Sequence, residues 1–195
     1  MPEPKKLESD FYTRDVLEVA PDLIGKILVR RLLTGEELRY RITETEAYRG
    51  EEDTGCHAKA GKTKRTETLY MKGGHTYVYL CYGVHFLVNA VTGAEEQPQA
   101  ALIRGVVGYY GPGRLTKAMQ ITKDLNAVDL TASDEIWIEE DGTKPEYVTG
   151  KRIGIDYACE YYRNIEWRFT APSEIKPKKV IKARASAESN LLTKR

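Results

Sequence analysis

No apolar run in this chain approaches the roughly 18 to 20 residues that a helix needs to span a bilayer. The opening Met1-Pro-Glu-Pro-Lys-Lys6 also lacks the apolar core of a secretion signal. These absences lead us to expect an intracellular protein, cytoplasmic in a bacterium or nuclear in a eukaryote, with no membrane partner. A surplus of one charge is missing as well, since 30 basic against 29 acidic residues leave a formal charge of +1. That balance excludes a uniformly basic nucleic-acid coat and permits only a local basic patch. Cysteine is scarce, and Cys56, Cys81 and Cys159 are odd in number and scattered. They suit reduced thiols in or near the core better than a disulfide framework. Cys56, His57, Cys81 and His85 contain no CxxC or HxxxH pair, so no metal is expected. Internal repeats are absent too.

What is present is enough for one good core. With 195 residues, 41% of them hydrophobic, the chain reads as a single domain without an internal boundary. Residues 1–10 and the Lys-rich, aromatic-free stretch 176–195 are expected to be weakly ordered tails. Apolar residues at Val16, Leu17, Ala20 and Leu23 are spaced for a helix, or two short ones broken by Pro21, with Thr13 as cap and Gly25 as stop. Thr34-Gly35 separates two β-rich runs, 27–33 and 38–48, which predicts a hairpin. Residues 50–68 read as a polar surface loop, with a short helix at its end. A second hairpin is expected from 77–82 and 86–91 around Gly83-Val-His85, followed by a β segment over 100–110. Leu115, Ala118, Met119 and Thr122 mark a helical face after Gly111-Pro-Gly113. Short late strands are expected at 135–139 and 152–155. Strands with irregularly interspersed helices, rather than a βαβ cadence, predict an α+β domain on a mostly antiparallel sheet with peripheral helices.

The residues that bear chemistry gather between Glu44 and Arg104. Glu44, Glu46 and Tyr48 share one strand face by their spacing of two. Glu46 is either a charge on a solvated edge or a base for activating water. Tyr77 and Tyr79 are either ordinary strand aromatics or planes for a flat ring, and Tyr82, at the hairpin turn, can project outward as a wedge. Asn89 stands between Val88 and Ala90, where a buried amide must either bond backbone or point into a site. Arg104 interrupts an apolar strand in the same way, which calls for a carboxylate partner, and Glu46 is the obvious one. His57 alone would be a satisfied histidine. Lys59, Lys62, Lys64 and Arg65, with Lys72 nearby, form the local basic cluster, either a solvated loop or a contact for phosphates. Together they suggest hydrolysis at a nucleobase. A binding domain that does no chemistry could use the same tyrosines and lysines. A carbohydrate hydrolase would want two acids flanking the bond, and Glu44 beside Glu46 on one strand face is poor geometry for that.

These residues, in order and spacing, resemble the alkyladenine (methylpurine, 3-methyladenine) DNA glycosylases. The likeness rests on Glu44-Thr-Glu-Ala-Tyr48, Glu51-Glu-Asp53, His57, Met71-Lys72, Tyr77-Val-Tyr79, Tyr82-Gly83, Asn89, Leu102-Ile-Arg104, Gly111-Pro-Gly-Arg-Leu115 and Arg152-Ile-Gly-Ile155. It runs from about Asp15 to Phe169. The resemblance implies a monofunctional enzyme of base excision repair, a monomer with a curved antiparallel sheet and no cofactor, acting on double-stranded DNA that contains damaged purines. Glu46 would be the general base, with Arg104 and the backbone carbonyl of Ile153 helping to hold the water. Tyr48, His57 and Tyr79 would stack around the extruded base. Asn89 would oppose the 2-amino group of normal guanine, and Tyr82 would fill the gap in the duplex. The chain departs from the family pattern after Trp167-Arg-Phe169, where Thr170-Ala-Pro-Ser-Glu follows in place of a longer apolar and basic stretch. It also departs in the loop of Lys62 to Glu67.

Overall fold

Thirteen residues of alternating character, Glu37–Arg49, form the longest strand and organise the rest. The structure is a computed structural model and describes residues 3–172; the tail expected from Lys176 lies outside the described residues. Among these, ten strands build one sheet with antiparallel pairing throughout. They are β1 (Lys5–Lys6), β2 (Ile27–Arg31), β3 (Glu37–Arg49), β4 (Thr76–Cys81), β5 (His85–Val91), β6 (Gln99–Val106), β7 (Tyr109–Tyr110), β8 (Ile136–Glu140), β9 (Val148–Gly150) and β10 (Arg168–Thr170). The order is β1-β8-β2-β3-β6-β5-β4, with β7 on β6 and β10 joining β3 to β9. Four short helices, α1 (Ser9–Tyr12), α2 (Val16–Asp22), α3 (Pro112–Ala118) and α4 (Glu160–Asn164), complete an α+β fold.

The first half of β3 pairs with β2, Ile27 opposite Arg41 and Arg31 opposite Glu37, through the Thr34-Gly35 turn. Its second half pairs with β6 on one edge, and Glu44 to Glu46 take β10 on the other. The register shifts between Ile42 and Thr45. Such a bulge bends a strand and re-aims its side chains.

Strict alternation then divides the sheet into two faces. Ala47, Val78, Val88, Ala90, Ala101 and Ile103 enter the main core, with Val19 and Leu23 at α2 and Leu115 and Met119 at α3. The residues between them, Glu46, Tyr48, Tyr77, Tyr79, Leu87, Asn89, Leu102 and Arg104, belong to the opposite face. A slip of one residue in any strand would exchange the sets, so burying the apolar one fixes the register.

Several elements differ from expectation. Within 1–10, Lys5 and Lys6 pair with Glu140 and Glu139 as β1, and Ser9 opens α1. Helix α2 is capped by Asp15, whose carboxylate accepts the Leu17 N–H at 2.9 Å, rather than by Thr13, and Pro21 sits inside its last turn. The 100–110 segment is a hairpin, because Gly108 with φ +89° turns β6 back as β7. The 50–68 stretch ends in a short 3-10 helix, Glu67–Tyr70, as expected, but it carries another at His57–Ala60 and is not simply a surface loop, since it buries Asp53, Cys56, Thr66 and Thr68. No strand forms at 152–155; the ladder there is β9, upstream, and Arg152 to Ile155 is a loop turned at Gly154 with φ +80°. Cys56 is buried and Cys81 partly so, but Cys159 is exposed, contrary to the expectation of three thiols in or near the core.

Candidate active site

The polar face of the sheet floors a cavity of about 830 Å³, walled by the 50–68 segment, the β4–β5 hairpin and the loop after β9. Tyr48, His57, Tyr79, Asn89, Arg104 and Ile153 all line it, as does Tyr82 at its mouth. Glu46 lies beneath, with none of its surface exposed. The solvated-edge reading of this acid therefore fails. It is held from three sides: Oε1 accepts the Ile153 N–H at 2.9 Å, Oε2 accepts the Tyr48 hydroxyl at 2.9 Å, and Arg104 Nε lies 3.6 Å from Oε1. Burial pushes the Glu46 carboxyl above its ordinary pKa, against the pull of Arg104, the Ile153 amide and Tyr48. The outcome is an acid in a dry, fixed position, which is what proton abstraction from a bound water requires.

Arg104 departs from the simple pairing expected. Its Nε donates to Glu44 at 3.2 Å and only approaches Glu46. Glu44 also accepts from Arg168 Nη1 at 3.1 Å.

The aromatic wall is built by neighbours. Tyr77 and Tyr79 share a face of β4 with ring centroids 5.3 Å apart, and His57 meets Tyr79 edge-on at 4.5 Å. The Tyr77 hydroxyl and His57 Nδ1 are hydrogen-bonded at 2.9 Å. Burial, with Arg65 and Lys59 close by, lowers the His57 pKa to about 4, so the imidazole is neutral. Both alternatives weighed for Asn89 hold at once, since its amide donates to the Tyr77 carbonyl at 2.9 Å while the residue lines the cavity. Tyr82 is 90% exposed at the hairpin tip, with φ +49°.

The basic cluster divides. All five are exposed, and Arg65 and Lys59 reach the cavity rim. Lys62 is paired with Glu96, and Lys59 Nζ sits 4.2 Å over the Tyr157 ring. No group of three or more His, Cys, Asp or Glu is placed to hold a metal among the described residues.

Sequence reasoning gave no role to the buried pair behind this wall. Arg152 reaches Asp53 through both Nη atoms, at 2.5 and 2.8 Å, with neither side chain exposed. Its guanidinium also bonds the Ala47 carbonyl and stacks on Tyr48 and Trp167 at 4.7 and 5.2 Å. It thereby fixes the loop whose next residue, Ile153, binds Glu46. Asp53 was hidden in an acidic run and Arg152 in an expected strand; the spacing of neither marks a buried charge. Tyr157, at the rim, was also unassigned, and Tyr77, read as a strand aromatic or a plane for a flat ring, has its hydroxyl on His57.

The model of the methylpurine-DNA glycosylase family matches residues 10–108 and 109–175. A relative from Natranaerobius thermophilus is 44% identical over 188 residues, covering 84% of this chain and 94% of its own. One from Methanocella arvoryzae is 42% identical over 183 residues, covering 84% and 90%. A third, from Psychrobacter cryohalolentis, is 40% identical over 181 residues, covering 78% and 85%. All three bear the name "Putative 3-methyladenine DNA glycosylase". With the family model running through every strand of the sheet from β2 to β10 and across the whole cavity, the chain belongs to the methylpurine-DNA glycosylase family.

Proposed function

We propose that this protein is a monofunctional DNA glycosylase of base excision repair, which extrudes an alkylated or deaminated purine from the duplex and hydrolyses its N-glycosidic bond. The observation that carries the reading is Glu46, wholly buried yet held by two hydrogen bonds and an ion pair at the base of an aromatic cavity. In the reaction Glu46 takes a proton from water, the hydroxyl adds to C1′, and the C1′–N bond breaks with its electrons leaving on the purine. A cationic alkylated purine departs neutral; hypoxanthine or ethenoadenine needs a proton as it leaves. A positioned base contributes about 10²- to 10⁴-fold, and the carboxylate also faces the positive charge that develops on the sugar. Arg104 and the backbone of Ile153 orient the water.

Extrusion costs a few kcal/mol, and stacking a base on an aromatic ring returns about 1 to 3 kcal/mol. Tyr48, His57 and Tyr79 can therefore roughly offset flipping, with Tyr82 occupying the gap and Asn89 rejecting guanine. That leaves little surplus, so affinity comes from phosphates met by Lys64, Arg65 and Lys72, with Lys59 and Lys62 less free to join them. Glu44 is engaged by two arginines beside Glu46, which argues against a sugar hydrolase with acids on opposite sides of the bond. The test is incubation with duplexes carrying single 3-methyladenine, 7-methylguanine, hypoxanthine or ethenoadenine lesions, developed with and without alkali. Strand breaks should appear only after alkali, because the product is an abasic site. Glu46→Gln should still bind lesion DNA but excise at least a hundredfold more slowly; excision at the native single-turnover rate would remove Glu46 from its role.

A further inference from the structure

Arg104 stands between two acids on one strand face, and how its charge is divided depends on residues further along the chain of contacts. Glu44 Oε1 receives Arg104 Nε at 3.2 Å and Arg168 Nη1 at 3.1 Å, while Glu46 Oε1 has Arg104 only at 3.6 Å. Arg168 is itself fixed, its Nε donating at 2.7 Å to the carbonyl of Lys151, next to the Arg152–Ile153 loop. β10 places Arg168 directly opposite Glu46 in the ladder. The result is a line of alternating charge, Glu46, Arg104, Glu44, Arg168, of which Glu46 alone is fully enclosed.

We infer that Glu44 and Arg168 are positioning residues for the reaction: together they set how much of the Arg104 charge reaches Glu46. This rests on the reading of Glu46 as the base. The charged and titratable groups around Glu46 are Glu44 and Tyr48 on its own strand, Arg104 on β6, Tyr79 on β4, Arg168 on β10 and Arg152 in the loop after β9. Among these, Glu44 acts twice. It repels the Glu46 carboxylate directly, and it holds Arg104 away from it. Both effects keep Glu46 more basic than it would be if paired with Arg104 alone. Arg168 opposes this by satisfying part of Glu44.

The two partners therefore make opposite predictions. In Glu44→Gln, Arg104 is released toward Glu46 and the repulsion vanishes, so the Glu46 titration moves to lower pH by roughly one unit. In Arg168→Gln, Glu44 keeps Arg104 undivided and a nearby cation is lost, so the titration moves to higher pH. Arg168→Lys retains the cation and should lie near the native value. The measurement is the side-chain carboxyl carbon resonance of Glu46 in the full-length protein labelled with ¹³C-glutamate, assigned by its disappearance in Glu46→Gln and followed across pH. Single-turnover excision of 7-methylguanine by the same variants should show its acidic limb moving with the resonance. Midpoints that stay within a few tenths of native, or move in the same direction in both variants, would overturn the inference, since a structural lesion gives no opposed shifts. If the midpoints move as stated but Glu46→Gln still excises, the charge relay stands and the assignment of Glu46 as base is what fails.

Discussion

A histidine in the wall of a cavity could act charged or neutral, and at His57 the surroundings decide. Burial and the cations Arg65 and Lys59 drop its pKa from 6.5 in the unfolded chain to about 4 in the folded protein. The sign follows: above 6.5 neither state carries the proton and the fold has its full stability. As pH falls toward 4, the unfolded chain takes up a proton that the folded chain refuses, and stability is lost. Glu46 runs the other way, because its raised pKa lets the folded state protonate first. Comparing native protein with His57→Gln isolates the imidazole. The variant should lose less melting temperature between pH 6.5 and 4, and equal losses would mean that His57 is freely hydrated. The sequence exposed these residues unevenly. Glu46 was legible as an acid in a strand near tyrosines, and alternation also put Glu44 on its face, but the register shifts between Ile42 and Thr45, and the hydrogen bond of Arg104 to Glu44 rather than Glu46, carry no mark in the spacing.

At the scale of elements, the β4–β5 hairpin shows what spacing can and cannot deliver. Its two strands, the face shared by Tyr77 and Tyr79, and the exposed tip at Tyr82 all follow from period two and a Gly-containing turn. By contrast, 152–155 is a loop rather than a strand, and Ile153 and Ile155 both line the cavity, the first half exposed and the second buried. The 50–68 segment was misjudged, since polar residues such as Asp53 and Thr66 are buried through bonds to backbone that composition does not reveal. The tip also separates function from stability. Tyr82 adopts φ +49°, where a large side chain is disfavoured. Asparagine tolerates that region better. Tyr82→Asn should therefore melt at or slightly above the native temperature, yet flip less, read as a smaller fluorescence change from an ethenoadenine duplex. A native flipping signal would show that the ring does not occupy the gap.

Across the whole molecule, the main core and the cavity lie on opposite faces of one sheet, so the helices stabilise from behind what the loops complete in front. The cross-tie between these parts is the Arg152–Asp53 pair. It joins the strand carrying Glu46 through the Ala47 carbonyl, the 50–68 segment through Asp53, and α4 through the Tyr162 carbonyl. Two charges without solvent contact are stable only as a pair. Asp53→Asn keeps the shape and an acceptor but leaves the guanidinium uncompensated, and by this reasoning should cost about 3 to 5 kcal/mol in urea unfolding. Arg152→Met combined with Asp53→Asn removes both charges and should recover part of that loss, because an apolar chain of similar length restores packing against Tyr48 and Trp167. Excision should remain impaired in the double variant, since Ile153 would no longer be held at Glu46. If Asp53→Asn lost under about 1 kcal/mol, the pair would be behaving like one reached by water, and the loop that presents Ile153 would owe its place to its other contacts.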